Sequence, residues 1–221
     1  MKLVYKNIGH VIEFEPGYVY ELVIENKKLF REVVNDLISQ IDGQYGDAVL
    51  SVKDKPVELS KYSDITVQLT PFQVNRKSLL TKLYSALEEK SLSAENYPRL
   101  IELLAKIDEF VRSISEDYSF DVCCPKLSLG PILRAVGVEI VDNDKETLEK
   151  IFDYCELVRE LDKDRLFIFV NFRTYFSDDD VNLFVKTVCS HDIKVLLLES
   201  SSFERLKNIK RYTIDEDLCE F

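Results

Sequence analysis

Tryptophan is absent from the 221 residues, and histidine occurs only twice, at His10 and His191. The two lie far apart along the chain, so a histidine-based metal site or a nucleophile–histidine–acid triad has little to be built from. No CxxC pair occurs either. Cys123, Cys124, Cys155, Cys189 and Cys219 form an odd set without framework spacing, and Cys155 and Cys189 fall on the apolar faces of predicted helices, which points to reduced thiols. No apolar run approaches the roughly 20 residues needed to span a bilayer. The opening MKLVYKNIGH lacks a signal-peptide apolar region, so a cytoplasmic protein with no membrane role is expected. Internal repeats and low-complexity linkers are missing too. Hydrophobic residues make up 46%, enough for a sizeable core and too many for disorder.

Positive charge is the scarcer sign. Forty acidic against 29 basic residues leave a formal charge of -11, which by itself argues against nucleic acid, because phosphate binding normally requires net basicity.

What the chain does have is clearest in Asp164 to Ser200. Leu166 to Val170 and Ile193 to Leu198 are continuous apolar runs, as expected for strands covered on both faces of a parallel sheet. Between them Ser177 caps a helix, Asp178, Asp179 and Asp180 occupy its first turn, and Val181, Phe184, Val185 and Val188 recur at helical spacing. In a nucleotide-hydrolysing enzyme the end of such a first strand usually presents an acidic metal ligand. Here Asn171 and Phe172 stand there.

The N-terminal half predicts short strands around Leu3, Val11 to Phe14 and Tyr18 to Ile24. A helix striped by Phe30, Val33, Val34, Leu37, Ile38 and Ile41 follows, then a hairpin turning at Lys53-Asp54-Lys55-Pro56 and a strand from Ile65 to Leu69. From Asn75, a plausible N-cap, two long helical patterns form an antiparallel hairpin. A shorter helix to Ala135 ends at Gly137, Val138 to Val141 is expected as a strand, and the tail from Tyr212 reads as an edge strand followed by acids. The whole is α/β: a discontinuous head of residues 1–74 and 119–221, with 75–118 inserted as a helical leg.

Tyr20 to Ile24 leads through Glu25-Asn26-Lys27-Lys28 into a helix, the context of a phosphate-binding loop. The glycines that let backbone amides wrap a triphosphate are missing, so hydrolysis is not expected. Glu116, Asp117 and Asp121 are carboxylates at short, irregular spacing near a helix end. That chemistry suits calcium, but on the residues alone a solvated helix end is the better account. Arg76, Lys77 and Lys82 mark the polar side of the first leg helix, with Lys90 and Arg99 further along. Arg205, Lys207, Lys210 and Arg211 form a second basic group. Both sets can be read as mixed solvated surface.

Several local words in order, FQVN at Phe72 to Asn75, ILRAVGVEI at Ile132 to Ile140, RLFIFVNFRTYFSDDDV at Arg165 to Val181, KVLLLE at Lys194 to Glu199 and YTIDED at Tyr212 to Asp217, resemble the Csn-two family. This is the CRISPR-associated adaptation protein of type II-A systems. The resemblance implies a degenerate P-loop-NTPase-like head with a partly parallel sheet, and a non-catalytic homotetrameric ring. It also implies binding to double-stranded DNA and its free ends, assistance by calcium, and action in spacer acquisition beside the CRISPR integrase proteins and the Cas-nine effector. It makes Arg76, Lys77, Lys82, Lys90 and Arg99 candidates for DNA contact and Glu116, Asp117 and Asp121 candidates for the metal. At Val122 to Pro125 the chain departs from the family, with VCCP in place of a more acidic stretch. The competing expectations are a protein-interaction scaffold and a divalent-dependent nucleotide hydrolase or nuclease working through Asp121 or Lys28.

Overall fold

The computed structural model describes residues 1–141, 145–162 and 164–221. They fall into two compact units, Met1–Phe72 with Asp144–Phe221, and Gln73–Asn143.

The first unit opens with β1 (Lys2–Tyr5), β2 (Val11–Glu13), β3 (Val19–Ile24) and α1 (Lys27–Ile41), followed by β4 (Ala48–Val52), β5 (Lys55–Val57), α2 (Leu59–Tyr62) and β6 (Ser63–Thr66). The chain passes through the second unit as α3 (Lys77–Ser91), α4 (Tyr97–Ser113) and α5 (Leu129–Ala135). It returns with α6 (Thr147–Leu161), β7 (Leu166–Val170), a 3-10 turn (Phe172–Thr174), α7 (Asp178–Ser190), β8 (Lys194–Glu199) and β9 (Ile209–Ile214). No described helix is long and apolar enough to cross a membrane.

Two sheets share the first unit. β2-β1-β4-β5 is antiparallel, and its β4–β5 hairpin turns through Lys53 and Asp54, both at positive φ as a tight two-residue turn requires. β6-β7-β8-β3-β9 is parallel throughout. The expected partly parallel sheet is thus a wholly parallel one, with the antiparallel strands gathered separately. Every residue of β3 and β7 is buried, which is why β7 reads as an unbroken apolar run and β3 as one broken only by Glu21. Side chains alternate between faces. Tyr20, Leu22, Ile24, Leu166, Ile168, Val170, Leu196 and Leu198 share one apolar cluster with Val33, Val34 and Leu37 of α1 and Leu3, Ile12 and Leu50 of the antiparallel sheet. On the other face Phe169 meets Phe184 of α7 at 5.9 Å and Phe167 meets Tyr154 of α6 at 6.4 Å.

Helix α7 starts where expected. Ser177 Oγ accepts the Asp180 N–H at 3.2 Å, and the Asp180 carboxylate accepts the Ser177 N–H at 3.3 Å, a reciprocal cap that satisfies two donors the helix leaves free.

In the second unit two expectations are corrected together. Val138–Val141 is not a strand, and Asn75 is not the cap of α3, whose N-cap is Arg76. Asn75 instead clamps Ile140: its side-chain oxygen accepts the Ile140 N–H at 2.8 Å and its amide donates to the Ile140 carbonyl at 2.9 Å. Tyr84 donates to the Val138 carbonyl at 2.8 Å. Side chains thus satisfy the backbone at Val138 and Ile140, where a neighbouring strand would otherwise do so. The helical unit also takes in 119–141, which the sequence reading placed with the head: α5 lies against α3, and the Gly130 N–H donates to Glu88 at 2.8 Å.

Candidate functional site

The basic residues of the helical unit do not form one stripe. Arg76 and Lys77 stand at the start of α3, Lys82 lies five residues further and so about 140° around the helix, Lys90 is near the end of α3, and Arg99 is in the first turn of α4. Arg76 donates to the Gln73 carbonyl at 3.2 Å. Together they spread positive charge along the hairpin without converging on a point, an arrangement suited to an extended polyanion more than to a single phosphate.

The acidic candidates behave differently. Among the described residues no three His, Cys, Asp or Glu side chains gather as a metal ion would require, so Glu116, Asp117 and Asp121 are not brought together and do not fit a preformed calcium site. The carboxylate that does work nearby is Asp108. It holds Arg112 at 2.7 Å and accepts the Cys124 N–H at 3.1 Å. Arg112, with Cys124 behind it, holds the Asp108 carboxyl below its usual range. Asp108 thereby fastens the VCCP segment to α4.

In the first unit a cluster of the protein's own charges runs from the carboxyl ends of β7 and β8 back to the middle of β3 and β9. Arg173, just past β7, has a side chain with no exposed surface. Its guanidinium donates to Glu21 on β3 at 3.2 Å, to Asp178 at the start of α7 at 2.6 Å and to the Glu204 carbonyl at 2.8 Å, with Phe203 stacked 4.9 Å from it. Arg211 on β9 also binds Glu21, and reaches the Phe203 and Glu204 carbonyls at 2.7 and 3.2 Å. Glu199, closing β8, accepts the Arg173 backbone N–H at 3.0 Å with one oxygen, and its other oxygen has no partner. Burial pushes its carboxyl up to about 8, reinforced by Glu21 and opposed by the Arg173 amide. With Glu199 neutral, two guanidiniums balance the carboxylates of Glu21 and Asp178.

Two other connections at this end are also structural. The link from β3 to α1 is only Glu25 and Asn26. Asn26 caps α1 by accepting the Leu29 N–H at 3.0 Å, which leaves no loop to wrap a phosphate. Asn171, at φ 53°, donates its N–H to the Leu198 carbonyl at 2.8 Å and accepts the Ser200 N–H at 3.0 Å, pinning β7 to β8. Phe172 is fully buried, 4.7 to 5.4 Å from Phe169, Phe176 and Phe184. Of the second basic group, Lys210 pairs with Glu15 at 2.7 Å and sits 4.4 Å over Tyr18, and Arg211 belongs to the buried cluster; Arg205 and Lys207 are exposed.

Residues 40–218 match the family model described as CRISPR-associated protein (Cas_Csn2). The chain belongs to this family. It is 26% identical over 200 residues to the CRISPR-associated protein Csn2 of Enterococcus faecalis, covering 89% of this chain and 88% of that one. To the CRISPR-associated protein Csn2 of Streptococcus agalactiae it is 23% identical over 197 residues, covering 89% and 87%.

The words that carry the resemblance to the Csn2 family also build the buried charge cluster. RLFIFVNFRTYFSDDDV supplies β7, Arg173 and the start of α7, and KVLLLE supplies β8 and Glu199. Sequence reasoning missed the cluster. Its signal was a charged residue inside or closing a fully apolar strand, Glu21 in VYELVI and Glu199 in KVLLLE, positions where an unpaired charge is too costly to persist.

Proposed function

We propose that the chain is a non-catalytic subunit of a DNA-binding assembly that acts in CRISPR spacer acquisition. The observation that carries the non-catalytic part is the Arg173–Glu21–Arg211–Glu199 cluster. Arg173 and Glu199, at the carboxyl ends of β7 and β8 where α/β proteins bind ligands, are turned into a buried cluster with Glu21 and Arg211 and not toward an open crevice. The strand order supports reading the head as a P-loop-like core. Numbered along the chain, β3, β6, β7, β8 and β9 lie side by side as 2-3-4-1-5, with the helix-bearing first strand between the fourth and fifth. The two-residue link after β3 supports reading that core as degenerate.

Duplex DNA, gripped without regard to sequence and at its free ends, is the ligand. Lys77, Lys82, Lys90, Arg76 and Arg99 supply phosphate contacts along the helical unit. Assembly into a homotetrameric ring is supported by α4, none of whose residues is buried. Leu103, Phe110 and Ile114 form an exposed apolar stripe on it, the kind of surface a monomer rarely leaves bare. Ring formation also concentrates the scattered basic residues of four copies around one duplex, against a formal charge of -11 per chain. Calcium assistance, and work beside the CRISPR integrase proteins and the Cas-nine effector, enter through the family. The ion's contribution is read by sedimentation mass with calcium and with chelator.

The test of DNA binding is a gel shift with linear and closed circular duplex at roughly 50 and 200 mM salt. Linear duplex is expected to bind better, with affinity falling steeply as salt rises. Reversal of Lys77, Lys90 and Arg99 to glutamate is expected to weaken binding by about tenfold or more. Equal binding of the two DNA forms, flat salt dependence, or an unaffected triple variant sinks the proposal.

A further inference from the structure

Helices α6 and α7 pack side by side and leave a cleft of about 400 Å³ between them. Its apolar lining comes from both walls, Leu148 and Phe152 one turn apart on α6, Leu183 and Phe184 on α7. Phe184 is buried and forms the floor, whereas Leu183 is 61% exposed. Val181, Val185 and Val188 already give α7 its buried face, so the core does not need Leu183. The rim is charged, with Glu149 and Asp153 against Lys145, which is itself ion-paired to Asp153. Helices α6 and α7 together carry seven carboxylates, one of them held by Arg173, against Lys150, Arg159 and Lys186.

We propose that this cleft is a docking groove for a basic amphipathic helix of another protein. A third helix laid between two packed helices places apolar residues one turn apart into the cleft, as ridges enter grooves. Lysines or arginines flanking those anchors meet Glu149 and Asp153. The same charges argue against a second copy in this place, because two α6–α7 faces would set like charges against each other. The inference rests on the geometry of these two helices and not on the DNA reading.

The test uses the full chain and a fluorescein-labelled peptide of about 18 residues, with leucine or phenylalanine at i, i+3, i+4 and i+7 and lysine elsewhere. An isomer with glutamate in place of lysine serves for comparison. Anisotropy titrations at roughly 150 mM salt are run on the wild type, on Leu183→Glu, and on Glu149→Lys with Asp153→Lys. The lysine peptide is expected to bind the wild type about tenfold tighter than its isomer, to lose about tenfold with Leu183→Glu, and to lose its advantage in the charge-reversed variant. Leu183→Glu is expected to keep wild-type binding to linear duplex, so this result and the DNA result fail separately. Three outcomes overturn the proposal: equal affinity of the lysine peptide for wild type and Leu183→Glu, which is mere charge attraction; preference for the glutamate isomer; or a fall in sedimentation mass with Leu183→Glu, which assigns the cleft to a second copy.

Discussion

Replacing Glu199 by glutamine isolates the energetics of the buried charge cluster. Glu199 has no exposed surface, accepts one backbone N–H from Arg173 at 3.0 Å and leaves its second oxygen without a partner. Burial is the main reason that its carboxyl rises from an ordinary 4.5 to about 8. The folded state therefore holds this proton more tightly than the unfolded chain. The stability that follows is complete below about pH 4.5 and is lost as pH climbs through about 8. The interval corresponds to roughly 5 kcal/mol as an upper bound, and relaxation of the site would lower it to about 2–4 kcal/mol. Glutamine keeps the shape of the neutral acid and does not titrate. Glu199→Gln should thus match the wild type at pH 5 and exceed it by about 2–4 kcal/mol at pH 9. Urea unfolding at fixed protein concentration measures this, followed by circular dichroism because the chain has no tryptophan. Parallel loss of stability in both proteins from pH 5 to 9 would refute the reasoning.

Arg173→Met leaves Glu21 buried with Arg211 still bound to it and frees the Glu204 carbonyl from one donor. A loss of about 3–5 kcal/mol is expected in the same unfolding assay, and a cost below about 1 kcal/mol would mean the cluster is not a closed network. Asn75→Ala removes both hydrogen bonds to Ile140. The expected cost is about 1–3 kcal/mol, with faster amide exchange at Ile140 as the specific sign; unchanged exchange there contradicts the clamp. Phe172→Ala empties the centre of an aromatic cluster and should cost about 3–5 kcal/mol in urea unfolding, where a cost near 1 kcal/mol would show that the cluster closes over the gap.

Where the chain follows a simple period, its fold is legible in the residues. Leu166–Val170, Ser177–Ser190 and Lys194–Glu199 form the strand, capped helix and strand that apolar runs and an acidic helix start imply. The failures share one cause, side chains that bond to distant backbone. Val138 to Val141 has strand-like residues, but Asn75 and Tyr84, more than 50 positions away, satisfy its backbone instead. Local propensity carries no trace of such a bond. The sheet's five-strand order is likewise set by β3 lying between β8 and β9, pairings that join the two ends of the chain. The basic residues could be found by type, yet their separation around α3 depends on helix geometry and not on charge spacing alone.

The acidic surplus and the buried cluster bear on each other. A parallel sheet tends to bind ligands at its carboxyl end, and an acidic chain with a free crevice there would suit a metal–nucleotide complex. Here two guanidiniums are bound to two carboxyl groups, Glu21 and Asp178, and to two backbone carbonyls, while Glu199 accepts the Arg173 backbone N–H. Inserting a divalent cation would require expelling Arg173, whose side chain is wholly enclosed, and would leave that guanidinium without partners. On the readings proposed above, recognition falls to the basic residues along α3 and α4 for a polyanion and to the α6–α7 cleft for a basic helix. These surfaces differ in charge, so on those readings an acidic and a basic partner would not compete for the same site.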